Sequence, residues 1–139
     1  MLLSAVHFEI FTLFAEKSSQ SAATLKATLG LKCTDRHFFD FLDVLSGFGF
    51  LIRIGMLTEA TYANGPDTDL VLDKKKPTYI GGILEMLNNR LYGFWGNLEE
   101  GLRSGTAQNE VKDGGDHPFA ELNKSPELLH KFVHAMRRN

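Results

Sequence analysis

Apolar positions in the first 16 residues, Leu3, Val6, Ile10, Leu13 and Phe14, recur three and four apart, the repeat that places them on one side of a helix. A helix over 2–16 follows, closed by the polar run Lys17-Ser18-Ser19-Gln20. Ser21 suits the N-cap of a second helix over 21–29, and Gly30 suits the left-handed turn after it. Thr34 caps a third over 35–46, in which Phe38, Phe41, Leu42 and Leu45 share a face before Gly47 and Gly49. Two short extended runs, Phe50 to Ile54 and Glu59 to Tyr62, then flank a turn at Gly55 and predict a β-hairpin. Helix, helix, helix, hairpin is the order of a winged helix, so residues 1–72 are expected to form a winged-helix-like part.

The second half, 73–139, carries a different pattern. From Pro77 onward Ile80, Leu84, Leu87, Leu91, Trp95, Leu98 and Leu102 are spaced 4, 3, 4, 4, 3 and 4. That seam predicts one helix over 77–104, about 42 Å long at 1.5 Å per residue, with Gly105 as its stop. A helix of that length has more apolar surface than a small domain needs to enclose, and its seam calls for a partner. Thr106 to His117 reads as a polar loop and Pro118 to Leu122 as a short helix. Ser125-Pro126-Glu127, a cap followed by a first-turn proline and acid, opens a last helix over 126–138 with Leu129, Phe132, Val133 and Met136 on one face. The fold class expected is all-α, winged-helix-like, with a minor hairpin.

Charge bears on what such a fold does. Residues 1–72 hold five Lys/Arg against eight acids, a balance of −3, and the third helix sets Arg36 and His37 among Asp35, Asp40 and Asp43. Affinity for DNA comes largely from neutralising phosphates, so this charge argues against nucleic acid as the partner. Lys74-Lys75-Lys76, the one basic run, reads as a solvated turn. The whole chain has net charge −2, 43% hydrophobic residues and no stretch of ~18 apolar residues, which fits a soluble cytoplasmic protein that does not enter a membrane. Cys33 is the sole cysteine and is expected to be buried and structural. His130 and His134 lie four apart but lack a signalled third ligand, so no metal site is expected. Tyr79-Ile80-Gly81-Gly82 and Asp113-Gly114-Gly115-Asp116 are glycine pairs in the wrong context for a nucleotide-type cradle. Around Asn88-Asn89-Arg90-Leu91-Tyr92-Gly93-Phe94-Trp95, amides and a cation beside aromatics could line a mixed pocket, with Trp95 expected as a core anchor.

Several runs together resemble a known family. These are Tyr79 to Met86, Arg90-Leu91-Tyr92-Gly93-Phe94-Trp95-Gly96-Asn97-Leu98-Glu99-Glu100-Gly101-Leu102-Arg103-Ser104-Gly105, Leu3-Ser4-Ala5-Val6, Phe41-Leu42-Asp43-Val44-Leu45, Gly49-Phe50-Leu51, Tyr62-x-Asn64 and Gln108-Asn109-Glu110. They are similar to the N-terminal dimerisation domain of S-adenosylmethionine-dependent O-methyltransferases, the acetylserotonin, caffeate-type and bacterial small-molecule enzymes. The resemblance implies a homodimer, a small-molecule hydroxyl acceptor, and S-adenosylmethionine as cofactor of the full-length enzymes, with no cofactor-binding or catalytic residue in this chain. It also implies substrate contacts from Phe132 and Met136, matching a Phe-x-x-x-Met pair, and from Met86. In the family a further helix usually precedes the segment that begins here at Leu3, and the catalytic Rossmann-like domain would follow Arg138-Asn139. The chain is thus expected to supply dimerisation and one wall of the acceptor pocket without turning over by itself. The alternative is a stand-alone winged-helix regulator or ligand-binding module.

Overall fold

The computed structural model describes residues 1–109, 112 and 125–136, without the side chains of Leu128, Lys131, His134, Ala135 and Met136. It divides into two compact units, Met1–Gly81 and Gly82–Asn139. The first contains α1 (Leu2–His7), α2 (Ile10–Glu16), β1 (Gln20–Ser21), α3 (Ala22–Thr28), α4 (Asp35–Gly47), β2 (Leu51–Ile54), β3 (Thr61–Asn64) and α5 (Pro66–Leu72). The second contains α6 (Gly81–Met86), a π-helical turn at Leu87–Leu91, α7 (Tyr92–Trp95), α8 (Leu98–Ser104) and α9 (Pro126–Met136).

In the first unit both expected caps are present. The Ser21 hydroxyl accepts from the Thr24 amide at 3.1 Å and the Thr34 hydroxyl from the His37 amide at 3.3 Å, each satisfying an otherwise orphaned helix donor. The hairpin forms, with Leu51 opposite Asn64 and Ile54 opposite Thr61, and Gly55 at φ +88° makes the turn out of β2. β1 pairs with β3 on its other side, giving an antiparallel sheet in the order β1-β3-β2. Val6, Ile10, Phe11, Phe14, Leu25, Phe38, Leu42, Leu45, Leu51 and Tyr62 are buried together between helices and sheet. Each such side chain contributes roughly 1.5–3 kcal/mol relative to exposure, so this cluster holds the unit together. The fold is mainly helical and winged-helix-like, as expected.

Three boundaries differ from the sequence reading. The first helix breaks at Phe8-Glu9, where Glu9 adopts φ +55°, so α2 starts afresh at Ile10. Pro77 does not open the long helix: residues 73–80 form turns and coil, and the helix begins at Gly81. The run from Gly81 to Ser104 is also not one regular helix. It widens into the π turn at Leu87–Leu91 and is interrupted again at Gly96-Asn97, before Gly105 at φ +67° ends it with its amide bonded to the Gly101 carbonyl at 3.0 Å. Helix α5 had not been anticipated. The expected short helix over 118–122 and the last two residues of the 126–138 helix lie outside the described residues.

Candidate functional site

The chemistry-bearing groups of the first unit are spent on holding it together. Along α4, Arg36 pairs with Asp40 at 3.7 Å, Asp35 with Lys26 at 2.6 Å, and Asp43 with Arg53 at 3.1 Å. The buried Tyr62 hydroxyl donates to the other Asp43 oxygen at 2.6 Å, and burial, reinforced by that carboxylate, pushes the phenol's pKa upward. The helix that would enter a DNA groove therefore has its one arginine, Arg36, beside a carboxylate, and its other acids pair with cations of neighbouring elements, so the DNA reading gains nothing from the structure.

The tri-lysine run proved to be more than a solvated turn. Lys74 reaches Glu9 at 2.7 Å, Lys75 reaches Glu16 at 2.6 Å, and Lys76 bonds Asp69. The Lys74 amide donates to Thr12 Oγ1 at 2.9 Å, and Asn64 Nδ2 bridges the Phe11 carbonyl at 2.7 Å and Asp69 at 3.1 Å. The segment after α5 is thus latched onto α2. Lys76 and Asn64 hold the Asp69 carboxyl below its usual range, while Lys75 lowers Glu16 and is itself raised by it. The pairs are largely exposed, and each one contributes little alone.

Two expectations are corrected. Cys33 is exposed, because it sits in the turn before α4 with no apolar element over it. Trp95 is no core anchor within the chain: it is 51% exposed and makes an edge-on contact with Tyr92 at 5.6 Å. It belongs to a series of exposed apolar residues in the second unit, Ile83, Tyr92, Trp95, Leu98 and Leu102, of which the last two are 67% and 77% exposed. Trp95, Leu98 and Leu102 come from the seam the sequence spacing picked out, whose Leu84, Leu87 and Leu91 are half-buried, while Ile83 and Tyr92 lie off it. On α9, Leu129 and Val133 are exposed as well. Surfaces of this apolar content are otherwise rare on isolated soluble domains and mark contacts.

The residues expected to face an acceptor fall in the second unit. Met86 is half-buried at the end of α6, immediately before the π turn, and Phe132 is half-buried on α9. The side chain of Met136 lies outside the described residues. His130 is exposed, His134's side chain is outside the described set, and among the described residues no group of three or more His, Cys, Asp and Glu could hold a metal. The described strands are antiparallel and two to four residues long, and the ring of Tyr79 lies against Gly81 where a side chain would project. Gly114 and Gly115 lie outside the described residues.

A winged-helix-like unit followed by an interrupted helical run with exposed apolar residues defines the class: a mainly helical, winged-helix-like domain. The comparisons find its likeness among methyltransferases. The chain is 36% identical, over 140 residues, to the tetracenomycin polyketide synthesis 8-O-methyl transferase TcmO of Streptomyces glaucescens, matching 97% of this chain and 37% of that protein. Human N-acetylserotonin methyltransferase, solved with S-adenosylmethionine, shares the fold at TM-score 0.77 and 22% identity over 97% of this chain and 39% of its own. An O-methyltransferase family protein from Burkholderia thailandensis does so at 0.69 and 22%, over 97% and 36%. No protein-family model matches the chain. The chain is similar to O-methyltransferases over part of their length, and spans between a third and two fifths of it.

Proposed function

We propose that this chain provides the dimerisation and acceptor-side domain of a small-molecule O-methyltransferase and is not catalytic by itself. The observation that carries the reading is the agreement of two facts: 36% identity to TcmO across 97% of the chain, and an exposed apolar series in the second unit. In this reading α6 to α9 pack against a second copy, covering Trp95, Leu98 and Leu102. Met86, Phe132 and Met136 form one apolar wall for the acceptor, which suits a flat ring because thioether and aromatic contacts make no directional demand. TcmO is named for 8-O-methyl transfer in polyketide synthesis, and on that ground we place the acceptor among hydroxyl-bearing polyketides. Donor binding, and the base that takes the hydroxyl proton, are assigned outside this chain.

Light scattering on the purified chain at tens of micromolar tests the assembly part. The wild type is expected as a dimer or larger assembly, and Leu98→Lys/Leu102→Lys, whose changes fall on exposed positions, at half its mass. A wild-type monomer at that concentration would refute the reading. Titration calorimetry with S-adenosylmethionine tests the rest, and micromolar binding would mean a donor site had been missed.

A further inference from the structure

The hairpin of the first unit carries a second apolar surface, independent of the helical face. β2 is an edge strand, and beyond it the chain leaves Ile52, Ile54, Met56 and Leu57 exposed, the last two by 78% and 80%, with Val44 and Phe48 exposed at the end of α4. From Val44 to Thr58 the single charged residue is Arg53, in a chain 23% charged. Open edges are ordinarily guarded by lysine, proline or a bulge, and β2 has none of these. Nor does this surface suit the phosphate contacts that a winged helix's hairpin makes on DNA, since its one cation is tied to Asp43.

The hydrogen-bond alternation says what could cover it. The Gly65 amide donates to the Phe50 carbonyl at 3.0 Å, which makes Phe50–Gly65 a bonded pair of the ladder. Continuing two by two, Ile52–Ala63 and Ile54–Thr61 are bonded pairs, while Leu51 and Arg53 turn their amides and carbonyls away from β3, toward the open edge. The strand is also palindromic about Arg53. Set antiparallel to itself across a two-fold axis at that residue, it pairs Arg53 with Arg53 of the second copy through both main-chain bonds. It also brings Ile52 opposite the other copy's Ile54, in the closely spaced, non-bonded position where side chains touch. Four isoleucines then meet on one face of the sheet. On the other face each guanidinium is already neutralised by Asp43 of its own chain at 3.1 Å, so the two arginines can approach without unpaired charge.

We propose that the β2 edge is a self-recognition surface, pairing two copies of the chain into a continuous six-stranded antiparallel sheet. It is isologous, as a two-fold contact must be, and does not depend on the helical dimer. The register gives a direct test. In a Cys33→Ser background, Ile52→Cys and Ile54→Cys chains are prepared separately and exposed to oxidised glutathione alone and as an equal mixture. The pairing predicts a covalent dimer in the mixture formed at least ten-fold faster than in either variant alone. No excess in the mixture over the single variants overturns the proposal. As a second readout, Ile52→Lys/Ile54→Lys is expected to halve the mass of the largest wild-type assembly seen by light scattering, with helical content by circular dichroism unchanged. An unchanged mass in that folded variant also overturns it, and because Leu98 and Leu102 are untouched, such a failure leaves the helical dimer standing.

Discussion

Removing the Tyr62 hydroxyl tests how the first unit is braced. Tyr62 is fully buried, and its phenol donates to Asp43 at 2.6 Å while Arg53 holds the other oxygen at 3.1 Å. Tyr62→Phe keeps the ring and its packing and deletes one hydrogen bond to a charged acceptor, a loss of roughly 1.5–3 kcal/mol when the acceptor is left unpaired. Asp43 keeps Arg53, and its side chain is 37% exposed, so water replaces part of the bond and about 1–2 kcal/mol is expected. In urea, monitored by circular dichroism, the midpoint should fall with the slope unchanged, and the melting temperature should drop by roughly 3–8 °C. The pH dependence has a definite sign. Burial and Asp43 raise the folded-state pKa of Tyr62 above its ordinary value of 10.0, so its contribution is complete below pH 10 and is lost as pH climbs toward the folded value. Wild type should therefore weaken through the alkaline range more steeply than Tyr62→Phe. Equal midpoints at neutral pH, or parallel alkaline limbs, would refute the assignment of this bond as a brace.

The acid side runs the other way: Asp69 is depressed below its ordinary 3.8 by Lys76 and Asn64, so its contribution is present above that value and lost as pH falls below it. Asp69→Asn should flatten the stability curve between pH 5 and 2 in urea titrations, and an unchanged acid limb would count against the latch. Gly105→Ala places a side chain at φ +67° and should cost roughly 1 kcal/mol in thermal unfolding of the second unit, whereas a neutral result would mean that α8 ends without needing the left-handed turn. Gel retardation of duplex DNA should show no salt-dependent shift at micromolar protein, because Arg36 on α4 stands beside Asp40 and Arg53 on β2 beside Asp43. With Phe132→Ala, binding of an aromatic hydroxylated acceptor to the assembled enzyme should weaken about ten-fold, and unchanged affinity would remove Phe132 from the pocket wall.

What could be read from the sequence depended on how local its cause was. Ser21 and Thr34 announce their helices because a cap is a contact between residues three apart, and the 80–102 seam announces itself because spacing is periodic. The break at Glu9 has no glycine or proline to mark it, and β1 is a polar pair, Gln20-Ser21, that becomes a strand only by lying against β3. Gly65-Pro66 with Asp67 and Asp69 is a full helix-start signature, so α5 is legible in the sequence. The lysine latch could not be read, since Glu9 and Glu16 stand some sixty residues from their partners. The π turn follows from no composition rule either, as Asn88, Asn89 and Arg90 are tolerated in ordinary helices. The acceptor-side role proposed for Met86, Phe132 and Met136 rests on likeness to a family alone, since at helical spacing they look like any core.

Trp95 is the chain's single tryptophan and lies on the face assigned to the second copy, so its fluorescence reports on the central claim directly. Emission and acrylamide quenching are measured from nanomolar to tens of micromolar protein. The account predicts a solvated tryptophan on dilution and, as concentration rises, a blue shift with quenching reduced several-fold, a transition that Leu98→Lys/Leu102→Lys abolishes. A red-shifted, fully quenchable tryptophan at every concentration would contradict it, because the open helical face would then be left uncovered.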